Sequence, residues 1–583
     1  MALTESRPDV AESDEGSGPV VSSWSPDGML ESVDHKQIGR MFIGGGAIFL
    51  VIGLIVGVVA AFESADGSGF QIARDADEFA QLWSISRDLT VFGGLVPILI
   101  GIGLHIVPLQ IGAPSLAFAR GASGALWTWM LGSGLLIAVY LLNGGPGGGR
   151  RDFVILWTCL LAMMVGAAVW ALVVLSATIL GARTVGMTME RMPLTAWSYF
   201  VFALMGVFSL PIVLAELLLA LLRVRYFHLP VEESQTLTGI MDGAALTPSL
   251  YWLGLPALGI AADVIGAHTG VAVRQRRSIM IAIAVFGLLS FGYYAVGMAS
   301  LREIDFDSGL LVISLLLAPL PVLAVLGLCG DSLRRGTLKV SAALLASLLS
   351  GLLLLAATII SLLGLVEPIM GYLDELFPDS IDMTNSLVLN GTTFHEGVRA
   401  LVVASAVLAI ISGLHHWAPK LWGRTLAEPV GMLGVLLAAG GGVLWALGEL
   451  AAGFADQPFY PTVADTTDAQ KAFGFISAVG LLVLAGAVAL LCLNIASVAL
   501  GSKPAGSSQV AWSGLTLEWA TASPPRPGNF PAPPIVTSAT PLADGELAYD
   551  GLASESADGD VGEADPDGGN EDAASDGDDG EES

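Results

Sequence analysis

The chain has 583 residues, of which 54% are hydrophobic and only 13% are charged, and its mean hydropathy is +0.71. This composition excludes an ordinary water-soluble globular protein, because apolar stretches of about 20 residues are long enough to cross a bilayer and such stretches recur along the chain. The net charge is −28. We expect the lipid bilayer, and no nucleic acid, among its partners.

Transmembrane helices are predicted wherever such an apolar stretch occurs. They lie near residues 40–62, 88–110, 124–143, 153–181, 195–223, 248–267, 278–300, 308–328, 340–366, 395–416, 429–452 and 472–500. The predicted fold class is therefore all-α, a polytopic membrane protein with about twelve transmembrane helices. Residues 1–35 lack the apolar core of a cleavable signal peptide.

The orientation follows from the lysine and arginine residues of the loops. Segments on the side of the termini carry sixteen of them, and the opposite segments carry eight. Because cytoplasmic loops are enriched in these residues, both termini are predicted to be cytoplasmic. We expect the protein to lie in the plasma membrane of a prokaryote.

Four regions are predicted along the chain. Residues 1–35 form an acidic disordered segment, and residues 36–502 form the membrane domain. Residues 503–539 form a Pro-rich, extended cytoplasmic tail, whose Pro-rich end favours a conformation without internal hydrogen bonds. Its aromatic residues Trp512 and Trp519 are expected to anchor it against helix ends. Residues 540–583 are acidic, without a basic side chain, and should be disordered because they cannot bury enough apolar surface. They act as a solvating tail or an adaptation to salt, or alternatively dock a basic partner.

The three cysteines give no sign of a metal site. Cys159, Cys329 and Cys492 fall within or at the ends of predicted helices and have no C-x-x-C spacing. Neither a zinc site nor a binuclear copper site is indicated. We expect all three cysteines to be small residues of the hydrophobic core.

Five motifs occur in a fixed order across the chain. They are DHKQIGR at 34–40, FAQLWSISRDLTVFGGLVPILIGIGLHIVPLQIGAPSLAFAR at 79–120, ILGARTVGMTMERMP at 179–193, HWAPKLWGR at 416–424 and WSGLTLEWATASPPRPGNF at 512–530. Together they resemble subunit I of the haem–copper cytochrome c oxidases, over nearly the whole chain. The resemblance implies the twelve-helix arrangement of that subunit and a place in a respiratory chain beside other oxidase subunits.

The resemblance also implies haem and copper ligands, but other residues stand at their positions. Helix 2 of the family carries an axial haem histidine, where this chain has Ser86, and the copper histidines and the cross-linked tyrosine are replaced likewise. The positions concerned are Ser86, Leu255, Gly259, Phe291, Gly292, Val398 and Ala400. In the tenth helix, Val398 and Ala400 are the positions found by counting forward from Thr392. Counting back from His416 instead shifts both by one residue, and neither position is then a histidine. We therefore predict no catalytic residue, no metal site and no bound cofactor.

The positions of the family's proton routes are substituted as well. Ala257 stands at the relay glutamate, Ser115 at the entry aspartate and Val325 near the channel lysine. The segment that holds the haem propionates in the family reads QPFY at 457–460. Proton transfer through a low-dielectric core needs titratable side chains, which these are not.

The seven histidines offer one weak substitute for a haem ligand. His395 lies about one turn before the inherited position, but a place at the outer surface, bonded to the 366–394 loop, is the favoured interpretation. His105 is about 28 Å along the helix from Ser86, at 1.5 Å per residue. His35 is placed at the start of helix 1, and His228 and His268 are placed in loops. His415 and His416 are placed at the solvated end of helix 10.

Charged residues inside predicted helices are functional candidates because charge is costly in hydrocarbon. They are Glu216, Asp263, Glu396, Arg399 and Glu449. Glu396 and Arg399, three residues apart on one helix, can pair. We interpret the set as interhelical ties that replace haems in fixing the packing; a relict or new proton path is the alternative.

Three functions remain open at this stage. The favoured hypothesis is a non-catalytic subunit I homologue with a structural or assembly role. The first alternative is an active terminal oxidase that oxidises cytochrome c, reduces oxygen and translocates protons with rearranged ligands, and then binds haem and copper. A weaker alternative is a carrier or channel that uses the vacated cavity. Function resides in sites rather than folds, so the fold alone does not decide.

Overall fold

The computed structural model describes residues 32–66, 72–74, 76–146, 148, 150–226, 249–299, 307–366, 389, 391–459, 467–500, 514–543 and 547–549. The acidic runs at both ends lie largely outside these residues. So do Trp512, His228, Tyr460 and most of the 366–394 loop.

The membrane domain is an assembly of twelve helical segments. They are α1 His35–Asp66; α2, composed of Ala76–Asp88, a π-helical stretch Leu89–Leu95 and Val96–Gln110; α3 Ala119–Leu141; α4 Arg151–Gly181; α5 Leu194–Tyr226; α6 Ser249–Thr269; α7 Arg276–Ala299; α8, composed of Asp307–Leu317 and Pro319–Arg335; α9 Ala342–Ile360, continued by the 3-10 turn Ser361–Leu365; α10 Phe394–Trp422; α11 Glu428–Phe454; and α12 Asp468–Ala499. Among the described residues, eleven helices are long and apolar enough to cross a membrane, and α7 completes the order. The prediction of an all-α protein with about twelve transmembrane helices is confirmed.

Three helices form the centre of the bundle. In their most apolar windows α2 is 100% buried, α6 94% and α10 89%, whereas no other candidate span exceeds 61%. The remaining helices surround them, with α1 packed against α2 and α12, and α4 between α3 and α5. The inner helices α2, α6 and α10 carry most of the inherited ligand positions.

Local sequence explains several helix ends. Thr467 and Gln470 form a capping box that begins α12, and the Ser341 hydroxyl accepts the Leu344 amide at the start of α9. Gly423 ends α10 with φ of 74°, the left-handed conformation that glycine adopts without a steric penalty. Each cap satisfies backbone groups that a helix end leaves unbonded.

Small residues bring α11 and α12 into close contact. A β-carbon at Gly480 would lie 2.1 Å from the Trp445 amide nitrogen, and one at Gly448 would lie 2.5 Å from that of Ser477. In a bilayer, such backbone proximity is a main source of helix association, because lipid is as apolar as the helix surface.

The described residues of the C-terminal tail between 514 and 536 lie on the bundle. Leu517–Ala520 is a 3-10 turn, and β1 Pro534–Ile535 pairs antiparallel with β2 Ala548–Tyr549. The Val536 amide donates to the Val185 carbonyl at 3.0 Å. Within the Pro-rich end the Asn529 amide donates to the Arg526 carbonyl at 3.0 Å, which differs from the expectation of no internal hydrogen bonds there. β2 lies within the range predicted to be disordered.

Several residues lie in surroundings other than those predicted. His268 is in the last turn of α6, not in a loop, and both His415 and His416 are buried rather than solvated. Cys159 is exposed on α4, so only Cys329 is a buried core cysteine; Cys492 is partly buried. All three thiols are free.

Candidate functional site

A small polar cavity lies beside Ser86, at the end of the bundle opposite the chain termini. Its volume is about 80 Å³, which holds several water molecules. It is bounded by α1, α2, α10, α11 and α12, and its charged lining residues are Arg87, Glu396, Arg399 and Glu449.

A carboxylate between two guanidinium groups forms the centre of this site. Arg87 Nη1 of α2 donates to Glu396 Oε1 of α10 at 2.5 Å, and Arg399 Nη2 donates to Glu396 Oε2 at 2.6 Å. Arg87 is 4% exposed and Glu396 is 6% exposed. The pairing of Glu396 with Arg399 is the one that their spacing suggests, while Arg87 adds a bond between helices. Charge-assisted bonds of this kind are the strong class of hydrogen bonds.

A second carboxylate and three aromatic rings complete the surroundings. Ser477 Oγ of α12 donates to Glu449 Oε1 of α11 at 2.6 Å. The Arg87 guanidinium carbon lies 3.9 Å from the Trp83 ring centre and 5.3 Å from that of Phe459, and Arg399 lies 5.3 Å from that of Trp445. Cations over aromatic faces gain further stabilisation when they are removed from water. With both carboxylates ionised, the two arginines and two glutamates compensate one another in charge.

The inherited ligand positions are not brought together. Ser86 lines the cavity, but Val398 and Ala400 do not. The residues that face it from α10 and its N-cap are Thr393, Glu396 and Arg399, and Arg399 is one of the two positions that the shifted count gives.

The other inherited positions are packed or turned outward. Leu255 is fully buried in the core, and a β-carbon at Gly259 would lie 2.3 Å from that of Ser198. Phe291 is 37% exposed on α7, the helix that also carries Gly292. Of the proton-route positions, Val325 is buried in the core and Ser115 is exposed. These residues supply no titratable group to a site.

The residues around the cavity do not fit a haem or a copper ion. Haem iron is held in proteins by imidazole, thiolate, thioether or phenolate, and a Ser86 hydroxyl is none of these. The Arg399 guanidinium has only donors. Pockets for cofactors measure about 300–1,000 Å³, several times this cavity. Among the described residues, no group of three or more His, Cys, Asp or Glu side chains is placed to hold a metal ion.

The histidines do not supply the missing ligands either. His395 is exposed at the start of α10, packs edge-on to Phe394 and does not line the cavity. His268 Nε2 lies 3.3 Å from His416 Nδ1, at the other end of the bundle.

The remaining predicted charges lie elsewhere. The Asp263 carboxylate accepts the amides of Leu194 at 3.1 Å and Thr195 at 2.8 Å, so it caps the first turn of α5 from α6. Glu216 is buried on α5 and does not line the cavity. Asp263 thus joins two helices but has no part in the cavity.

Two charged residues next to Ser86 are not among the predicted site residues. Arg87 precedes the predicted second helix, 88–110, and Asp88 is its first residue, but both lie inside the bundle on α2, which begins at Ala76. Asp88 Oδ2 accepts the Tyr140 hydroxyl at 2.9 Å and the Trp157 indole N–H at 3.3 Å. The signal was available, because the resemblance already placed Ser86 within a transmembrane helix.

The tail supplies a second buried polar cluster, at the terminal end of the bundle. Glu518 Oε1 accepts from Gln110 Nε2 at 3.1 Å and from Trp417 Nε1 at 3.2 Å. Burial raises the pKa of the Glu518 carboxyl above its ordinary value. Lys420 Nζ donates to the Thr521 carbonyl at 2.6 Å and lies 5.2 Å from the Trp519 ring centre. Lys420, which follows the predicted tenth helix, 395–416, is therefore in the last turn of α10 and buried under the tail.

Comparison with known proteins settles the family. The family described as "Cytochrome C and Quinol oxidase polypeptide I" matches residues 37–487, a range that includes nearly all of α1, all of α2 to α11 and most of α12. The chain belongs to this family. The cytochrome c oxidase subunit 1 of Bacillus subtilis (strain 168) is 24% identical over 540 residues, which cover 88% of this chain and 82% of that protein. The probable cytochrome c oxidase subunit 1-alpha of Streptomyces coelicolor is 26% identical, with 90% of each chain covered.

A solved structure agrees with the fold. A chain from the structure titled "Cryo-EM structure of a heme-copper terminal oxidase dimer provides insights into its catalytic mechanism" superimposes with a TM-score of 0.60 at 14% identity, over 82% of this chain and 86% of that one. At this identity the likeness concerns the fold alone. The chain is thus a divergent, multi-pass helical member of the oxidase subunit I family. Members of this family work within respiratory complexes of membranes.

Proposed function

We propose that this chain is a subunit I homologue that works without haem or copper and has a structural or assembly role in a respiratory complex. The observation that carries the proposal is the arginine–glutamate cluster at Ser86. The side chains that face the cavity from α2 and α10 there are Arg87, Glu396 and Arg399, and Glu396 is bonded to both arginines.

The cluster performs the packing task that a cofactor would otherwise perform. Arg87 and Glu396 join α2 to α10, and Glu449 and Ser477 join α11 to α12. A buried pair whose charges are well matched holds its helices in one arrangement, because removal of either partner leaves an uncompensated charge. We thus assign these residues the role that the sequence suggested for its intramembrane charges, which is to tie neighbouring helices together.

The proposed partners are other subunits of an oxidase complex. Three of the motifs shared with the family, at 34–40, 179–193 and 514–530, meet at the terminal end of the bundle. There Lys36 Nζ donates to Asn529 Oδ1 at 3.2 Å. Thr184 of the second motif and Leu517 of the third both lie beside Gly112, and Arg191 Nη1 donates at 3.1 Å to the carbonyl of Val536, six residues after the third motif. The surface made by these motifs is the one we assign to subunit contact, with the acidic run beyond it.

Gentle extraction, native gels and mass spectrometry test the assembly role. We expect the full chain to co-purify with other oxidase subunits, and deletion of 514–543 to weaken this more than deletion of 550–583. Because the first segment packs on its own bundle, the melting temperature of each variant must be measured beside the yield. Recovery of a lone species would contradict the proposal, and transport by that species in liposomes would favour a carrier.

Oxygen consumption of the purified chain tests the absence of catalysis. We expect none above that of a detergent blank with reduced cytochrome c. Turnover that is lost in His395→Ala but retained in His228→Ala would contradict the proposal and favour an oxidase with rearranged ligands.

A further inference from the structure

We infer that a groove on the membrane-facing surface between α1, α3 and α12 binds one anionic phospholipid. The groove has a volume of about 1,020 Å³. Its walls are apolar and include Met41, Ile48, Met130, Ile495 and Ala499. It lies apart from the cavity at Ser86, with which it shares no lining residue.

The shape of the groove suits an acyl chain. On α1 the lining residues Gly44, Gly45 and Ala47 have little or no side chain, so they form the floor of a trough. Ile48 is 62% exposed and Leu500 is 85% exposed, which places this surface against hydrocarbon in a bilayer. A volume of this size matches the pockets that enclose whole small-molecule ligands.

Polar groups at one end of the groove suit a phosphate headgroup. Arg40, Gln37 and Trp127 line that end, near the termini of the chain, with Trp422 beside them. The Trp127 indole N–H is buried and has no hydrogen-bond partner among the described residues, and a phosphate or ester oxygen would accept from it. Tryptophan and arginine at the headgroup level are typical of membrane interfaces.

The charge at this end favours an anionic lipid over a zwitterionic one. Arg40 donates from Nη1 to the Leu421 carbonyl at 3.5 Å and is attracted by Asp34, which is also paired with Lys36 at 3.0 Å. One carboxylate thus faces two cations, so these three side chains carry a net positive charge. A basic residue near the surface favours anionic lipids by about fivefold. A lipid of the bulk annulus would meet no fixed donor, so these groups distinguish one bound molecule from the rest.

Native mass spectrometry of the delipidated full chain tests the site. Phosphatidylglycerol and phosphatidylcholine with identical acyl chains are added separately. We expect one phosphatidylglycerol to be retained, with about fivefold preference over phosphatidylcholine, and a loss of that preference in Arg40→Gln. Equal retention of the two lipids by the wild type would overturn the inference.

Two glycine variants separate binding from folding. No atom lies within 4 Å of a β-carbon added at Gly44 or at Gly440, so neither substitution meets a neighbour at that point. Gly44→Phe fills the trough and should abolish retention, whereas Gly440→Phe, on α11 outside the groove, should retain the lipid. Equal retention by both would overturn the inference. Thermal melting of both variants shows that each remains folded.

Residues 501–513 of the chain itself are the competing occupant of the groove. Crosslinking from Cys492 distinguishes them from a lipid. The cysteine lines the groove. In a Cys159→Ser, Cys329→Ser background, a photoreactive maleimide on Cys492 should form adducts with phosphatidylglycerol in liposomes of that lipid. Adducts only with the 501–513 peptide would overturn the inference.

Discussion

Glu396 has the largest predicted effect on stability of any single residue in the cavity at Ser86. Its two oxygens are bonded to Arg87 and Arg399, and all three groups are largely withdrawn from water. The geometry follows from α2 and α10. The predicted tenth helix, 395–416, contains both Glu396 and Arg399, whereas the predicted second helix, 88–110, begins twelve residues after the observed start of α2 and leaves Arg87 out. The sequence could suggest only the pair of Glu396 with Arg399, which lie on the same helix. The pair of Glu396 with Arg87 joins two helices and depends on how each helix is rotated about its own axis.

Replacement of Glu396 should destabilise the protein strongly. Glu396→Gln removes the carboxylate that is bonded to both buried arginines and leaves Glu449 alone to balance two positive charges, a loss of about 3–5 kcal/mol. Thermal or denaturant unfolding in detergent measures it. The matched control is Glu190→Gln, which breaks the ion pair with Arg277 at a site where the side chains are 62% and 77% exposed. That pair contributes about 0–1 kcal/mol. Equal losses in the two variants would contradict the role of the cluster.

Attachment of the tail should weaken as pH rises. Burial raises the pKa of Glu518 in the attached state, so the protonated carboxyl is the form that the site favours. The stabilisation is fully present below the ordinary value of about 4.3 and is lost as pH rises through the raised pKa. Glu518→Gln stays neutral and should not show this loss.

Limited proteolysis of residues 514–543 measures this attachment. At each pH the cleavage rate of the wild type is divided by that of Glu518→Gln, which cancels the pH dependence of the protease. We expect the ratio to rise with pH. A constant ratio between pH 4 and 8 would show that Glu518 does not control attachment of the tail.

At the scale of elements, the helices were predictable and their contacts were not. Apolar length alone located the helices, since each must satisfy its own backbone in lipid. The tail was not predictable in the same way. Its proline-rich sequence favours an extended chain, but contacts such as that of Glu518 with Gln110, more than 400 residues apart, hold it on the bundle.

The close approach of α11 and α12 predicts a difference between two glycines of α12. Gly480→Ala places a β-carbon against the backbone at Trp445 and should cost about 1–3 kcal/mol by overpacking. Gly486→Ala meets no atom within 4 Å and should be neutral or slightly stabilising. The free energies of unfolding of the two variants compare them directly. Equal values would mean that the helices can separate there at no cost.

At the scale of the whole molecule, the fold belongs to the oxidase subunit I family, whereas the side chains at its inherited centres do not match the family's chemistry. The sequence could predict this contrast, because both the motifs and the substituted positions are read along the chain. It could not predict which residues face the cavity. That assignment needed the rotation of α10, which turns Glu396 and Arg399 toward the cavity.

The excess of lysine and arginine on the terminal side predicts that both termini are cytoplasmic. A single cysteine at position 560, in a variant whose native cysteines are replaced by serine, should be protected from an impermeant maleimide in intact cells and labelled after lysis. A cysteine at position 380 should react in intact cells. The reverse pattern would invert the orientation.

An absorbance spectrum with metal analysis tests the central claim most directly. The full chain is purified from its native membranes, and its reduced-minus-oxidised spectrum, haem content and copper content are measured per mole of protein. The account predicts haem and copper far below one equivalent, because the side chains at the inherited positions cannot ligate either. One equivalent of haem that disappears in His395→Ala would contradict it.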